Sequence, residues 1–173
     1  MTSKQPTLRP SDLVVALQLA ITPEAQFLDL AKLTVLSTGE CHNAVRRLRL
    51  SKLLLANERR PSLELLQQFL IHGAPFAFPP VIGQPVAGVP TGHSAPPFQG
   101  ILEAGEQFVW AAVDGTTRGR SIVPLAPRAA ELALKNEALY ELLTLVDALR
   151  SGTARIRKLA ADLLAQRLAP APA

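Results

Sequence analysis

"STGECHNAVRRLRL", Ser37 to Leu50, gathers the chain's single cysteine, one of its three histidines and three arginines into one short run. It reads either as the start of a Cys–His metal or nucleophile site, or as a helix with two unlike faces. Ser37 followed three residues later by Glu40 is a capping box. The serine hydroxyl accepts the amide three residues on, and the carboxylate reaches back to the cap amide, so a helix is expected from about Thr38. Cys41, Ala44, Val45 and Leu48 then recur at intervals of three, one and three, which makes one buried stripe. Cys41 belongs to that stripe, whereas His42, Asn43, Arg46, Arg47 and Arg49 lie off it. Neighbouring helical residues point about 100° apart, so Cys41 and His42 cannot aim at one metal ion. The other histidines, His72 and His93, have no ligand spacing to either. A nucleophilic thiol needs exposure and a positive environment, and a stripe residue is expected to have neither. The reading is a packing thiol, with no metal and no catalytic residue.

Working outward, "RPSDLVVALQLAI" reads as a helix capped by Ser11 or Asp12, with Leu13, Ala16, Leu17 and Ala20 on one face. "TPEAQFLDLAKLTVL" reads as a second, with Thr22 as cap, Pro23 at the first helical position and Phe27, Leu30, Ala31 and Leu33 inward. After the quoted stretch, Leu53-Leu54-Leu55 suits a short edge strand or the packed end of the same helix, and Asn57 to Pro61 a turn. "SLELLQQFLIHG" is a further helix, capped by Ser62 and closed by Gly73. His72 at its C-terminal end is favoured there by the dipole when charged.

Gly73 to Gly100 holds seven prolines and five glycines yet stays apolar, so an ordered loop laid over the core is expected rather than a helix or a central strand. Within it Thr91, His93 and Ser94 stand together, without the Gly-Lys-Ser/Thr ending of a phosphate loop or a paired carboxylate. Asp114-Gly115 flanked by Phe108 to Val113 and Ser121 to Leu125 predicts a β-hairpin whose tip and return arm carry Arg118 and Arg120. Two helices are expected from Pro127 to Leu168, split near Ser151-Gly152, with Arg155, Arg157, Lys158 and Arg167 on the outer face of the second.

The net charge is a modest +4, but it is unevenly spread. Residues 37–60 carry six Lys or Arg against two acids, residues 61–117 carry no base and four acids, and residues 118–173 carry nine against five. A basic block on one helical segment is what a phosphate-backbone binder requires. The single cysteine excludes an internal disulfide framework, and no apolar run approaches the roughly 18 residues needed to cross a bilayer. With a polar start and no secretory leader, the expectation is a cytoplasmic protein with no membrane association.

"LDLAKLTVLSTGECHNAVRRLRLSKLL", Leu28 to Leu54, resembles the winged helix-turn-helix of MarR-like bacterial regulators. The Leu-Ala pair of the support helix is Leu30-Ala31, the Leu-Ser turn is Leu36-Ser37, and the recognition helix ends in Arg-Leu. Val35 and Lys52 stand where that family often has glycine, and only Leu53 to Arg60 is left for a wing before the next helix. The wing is therefore either reduced or replaced by the Asp114-Gly115 hairpin. The resemblance implies a recognition helix in the major groove, with Thr38, Glu40, His42, Asn43 and Arg46 at base edges. Asn43 suits adenine and Arg46 guanine, in bidentate pairs of roughly 1–3 kcal/mol each. Arg47, Arg49, Lys52, Arg59, Arg60, Arg118 and Arg120 are expected on phosphates.

The fold expected is mainly α with a small β-hairpin. Residues 1–60 would form the helix-turn-helix region, and 61–127 a helix, the proline/glycine-rich loop and the hairpin. Residues 128–169 would be a C-terminal helical region for dimerisation or a partner, and 170–173 a disordered tail. The function expected is a sequence-specific transcriptional regulator, not an enzyme and without a cofactor, occupying double-stranded operator DNA as a homodimer. The rival is an antitoxin or adaptor whose helix-turn-helix autoregulates while residues 61–127 hold a protein partner. An enzyme centred on His93 with Ser94 or Thr91 is the third reading.

Overall fold

The computed structural model describes residues 4–103 and 105–170. Among these the chain forms eight α-helices and three strands, a mixed α/β fold. The order is α1 (Pro10–Ile21), α2 (Phe27–Thr34), α3 (Thr38–Leu50), α4 (Leu63–His72), α5 (Ala74–Ala77), β1 (Ile82–Pro90), β2 (Phe108–Ala111), β3 (Thr117–Ile122), α6 (Ala129–Lys135), α7 (Glu137–Ser151) and α8 (Ala154–Leu168). Two 3-10 turns, Gly92–Ser94 and Pro96–Phe98, follow β1. No helix among the described residues is long and apolar enough to cross a membrane.

α7 is the axis of the molecule. Every residue from Leu142 to Arg150 is buried, because α1, α4, α5, α6, α8 and the first 3-10 turn pack around it. A helix enclosed on all sides needs apolar residues all round, and only Thr144, Asp147 and Arg150 interrupt them here. One cluster of buried side chains runs from Leu13 in α1 to Leu168 in α8.

Several sequence expectations need correction. Thr22 does not cap α2; its hydroxyl is tied to Gln18 at the end of α1, accepting from Nε2 at 2.6 Å, and α2 starts only at Phe27. The stretch after Pro127 holds three helices rather than two. Asn136 interrupts the run by capping α7 with its carbonyl oxygen while its amide donates to Gln18 and to the Leu33 carbonyl. The proline-rich segment is not a loop throughout, since it supplies α5 and the central strand β1. Prolines are tolerated there because Pro85 sits where the β1–β3 register shifts and Pro90 ends the strand. Of the tail, residues 171–173 lie outside the described part.

The expected hairpin is absent as well. β2 and β3 run parallel to each other, each antiparallel to β1, and the three strands close on themselves. The chain changes from one edge of β1 to the other at Gly88, which pairs with Ala111 on one side and Thr117 on the other. A Cβ on Gly88 would lie 2.2 Å from the Trp110 carbonyl oxygen, so no other residue fits without displacing β2. Asp114-Gly115 therefore carries the chain across β1 instead of folding it back.

Candidate nucleic-acid interface

α3 is held as its sequence demands. The Glu40 amide donates to the Ser37 hydroxyl at 3.2 Å, and the Ser37 amide donates to the Glu40 carboxylate at 2.8 Å. The hydrogen bonds from Ser37 hold the Glu40 carboxyl below its usual range. Glu40, expected at a base edge, is thus occupied with its own cap. Cys41, Ala44, Val45 and Leu48 are buried as the helix packs on α1 and α2. The Thr34 hydroxyl donates to the Leu30 carbonyl at 2.6 Å, which leaves the Cys41 thiol as donor in the 3.8 Å contact between them. Burial pushes the thiol pKa up, so the stretch contains no activated cysteine.

The opposite face of α3 is free. Thr38, Asn43, Arg46 and Arg49 are exposed, and their side chains make no hydrogen bond or ion pair with other described residues. His42 is exposed too, but its ring stacks on Phe27 with centroids 3.5 Å apart and planes 20° from parallel. The Arg59 guanidinium lies 4.8 Å from the centre of the same Phe27 ring. Helix α2, helix α3 and the segment after α3 are thereby tied together by one aromatic ring.

Arg47 does not belong to the free face. Its Nε and Nη2 donate to the two carboxylate oxygens of Asp12, both at 2.7 Å, and the Asp12 side chain is fully buried. Asp12 also accepts the Arg9 amide at the start of α1. The hydrogen bonds that Arg47 donates to Asp12 raise the Arg47 pKa further. This bidentate pair fixes the angle between α1 and α3, and its arginine is unavailable to phosphate.

After α3, Leu53 to Ser62 makes a miniature hairpin. Leu54 bridges Pro61, the Leu55 amide donates to the Arg60 carbonyl at 2.8 Å, and the Ser62 amide donates to the Leu53 carbonyl at 3.0 Å. Its tip carries Arg59 and Arg60, the latter in an exposed pair with Glu24 at 3.3 Å. Lys52, at the junction, is exposed. The structure therefore brings Thr38, His42, Asn43, Arg46, Arg49, Lys52, Arg59 and Arg60 onto α3 and the segment that follows it. Arg118 and Arg120 are not part of this group. They sit on β3, in a barrel that rests on α6 and α7, and Arg120 is engaged with the Gly83 carbonyl and Glu106.

Sequence reading missed Phe27 as a platform, because its helical position pointed inward, and Asp12 as the partner of Arg47, because 35 residues separate them. Thr91, His93 and Ser94 are each engaged separately. Thr91 donates to Asp147, His93 Nε2 pairs with the Glu106 carbonyl, and the Ser94 hydroxyl accepts the Phe108 amide. Among the described residues no three of His, Cys, Asp and Glu gather as metal ligands. The chain matches no protein-family model, no curated protein and no solved structure.

Proposed function

We propose that the chain is a sequence-specific DNA-binding transcriptional regulator with a MarR-like winged helix-turn-helix, acting as a dimer on an operator. The observation that carries this reading is the α2–turn–α3 unit, whose outward face is uncommitted and basic while its inward face is packed. The hairpin Leu53 to Ser62 follows α3 directly, in the place of a reduced wing. Val35 and Lys52, the two residues standing where the family has glycine, are both left-handed, with φ of 56° and 59°. That is the conformation glycine would serve at helix ends. Asn43 and Arg46 are the base readers, and Arg49, Lys52, Arg59 and Arg60 the phosphate contacts, with Arg47 removed from that set.

The test is duplex binding by wild type, Asn43→Ala and Arg46→Ala against a selected site and an unrelated sequence. Each variant is expected to lose roughly 1–3 kcal/mol of discrimination between them. Variants that bind the selected site as tightly as wild type would sink the recognition-helix assignment.

A partner-binding role for residues 61–127 has its own support in the apolar side chains exposed around the barrel. Val113 is 100% exposed, and Val81 and Val123 are more than half exposed. A stoichiometric second chain on purification with co-expressed neighbours favours the adaptor or antitoxin reading.

A further inference from the structure

The start of α8 carries a charge arrangement that the fold does not explain. Arg155, Arg157 and Lys158 lie in its first two turns, all exposed, with no acidic residue in the first turn and no ion pair among the described residues. Cations at a helix N-terminus oppose the dipole, and Asp162, one turn on from Lys158, is the only acid of the helix. Arg157 and Lys158 line a groove with His72 and with Phe76, a residue 82% exposed. His72 also lines the neighbouring groove, which Lys52 beyond the end of α3 lines as well. Neither groove has an acidic residue in its lining. From Lys52 across α4 to α8, the two grooves adjoin at His72 and form a strip with cations at both ends.

We infer that this strip is a second contact for the phosphate backbone of double-stranded DNA, extending the path of the duplex from the end of α3 over α4 to the beginning of α8. The inference rests on the DNA-binding reading above. Arg157 and Lys158 neutralise phosphates and release counterions, while the exposed Phe76 ring supplies an apolar surface for deoxyribose. Nothing in the strip has the hydrogen-bonding pattern of a base reader, so its contribution is to affinity and not to sequence choice.

The experiment compares wild type with Arg157→Gln/Lys158→Gln, measuring affinity for the selected duplex over a range of salt concentrations, together with footprint length. Each lost phosphate contact lowers the slope of log K against log salt by about 0.9, so a dimer that loses two contacts on each protomer is expected to show a decrease of about 3.6. The footprint shortens at both ends, one for each protomer of the dimer, and the ratio between selected and unrelated sequences is unchanged. The thermal midpoint does not fall, because the substitutions remove charges the helix dipole opposes, which separates lost binding from lost folding. An unchanged slope and footprint in the double variant, with wild type binding normally, overturns the inference and leaves the regulator reading standing. Failure of wild type to bind any duplex overturns both.

Discussion

Lys52 keeps an exposed cation at a backbone position that costs the fold stability. It stands just beyond the end of α3 in the left-handed region, φ 59°, where a Cβ is disfavoured by about 1 kcal/mol. Its side chain is exposed and unpaired, so no packing compensates. Glycine's greater freedom in the unfolded chain offsets part of the relief. Lys52→Gly is therefore expected to gain about 0.5 kcal/mol, a rise of roughly 1–2 °C in Tm for a chain of this size. On the proposed DNA-binding dimer, the same substitution is expected to remove one phosphate contact per protomer and to lower the salt slope by about 1.8. Lys52→Ala is the control, since it loses the charge equally but keeps the left-handed strain. Equal stability of the two variants would show that the strain at Lys52 does not exceed glycine's entropic cost, and equal DNA affinity of Lys52→Gly and wild type would remove Lys52 from the interface. Val35 at φ 56° is a less clean case, because it packs partly against the core and glycine there would exchange strain for lost contact.

Elements differ in how openly the sequence announces them, and the difference is physical. α3 and α4 are governed by local signals, a serine cap at each start and regular apolar spacing, and both appear at the expected residues. The outward set Thr38, Asn43, Arg46 and Arg49 was legible for the same reason, since it is the complement of the buried stripe. Arg47 was not, because its role is decided by a carboxylate on another helix. β1 was hidden more thoroughly. Two prolines and two glycines argue against a central strand unless the register is irregular and a close backbone crossing demands glycine, and both conditions are long-range. The crossing can be tested at Gly88. An added Cβ would meet the Trp110 carbonyl oxygen at 2.2 Å and the Val109 Cβ at 2.8 Å, neither of which is the free end of a flexible side chain. Gly88→Ala is expected to destabilise the protein by roughly 1–3 kcal/mol, the usual range for overpacking, in chemical denaturation followed through Trp110. A loss below about 0.5 kcal/mol would show that the three strands do not close as described.

At the scale of the whole molecule, the barrel and the helical body are joined by one buried charge cluster on the central helix. Asp147 Oδ2 accepts the Thr91 hydroxyl from the end of β1 and the Trp110 indole N–H from β2, both at 2.7 Å. Its Oδ1 accepts Arg150 Nη1 at 2.6 Å, and Arg150 in turn donates to the Phe78 carbonyl at 2.7 Å and to the Pro79 carbonyl at 3.3 Å. Burial pushes the Asp147 carboxyl up, against the opposing pull of the Arg150 guanidinium and the Thr91 and Trp110 donors. Both side chains are almost wholly buried, at 1% and 4% exposure, so removing one partner strands the other in a medium of low dielectric constant. Asp147→Ala is expected to cost about 3–5 kcal/mol. Asp147→Ala with Arg150→Met should recover only part of this, because Thr91, Trp110 and the Phe78 and Pro79 carbonyls still lose their partners. Since the cluster couples two parts of the fold, the pattern of unfolding is a sharper readout than the loss itself. Wild type is expected to unfold with coincident transitions in Trp110 fluorescence and far-ultraviolet dichroism. In Asp147→Ala the fluorescence transition should come first, as the barrel loosens from α7 before the helices melt. Coincident transitions in the variant, with a loss under about 1 kcal/mol, would mean that apolar packing and the Tyr140 hydroxyl, which donates to the Pro90 carbonyl at 2.6 Å, hold the barrel on α7 and that the buried cluster is not the joint.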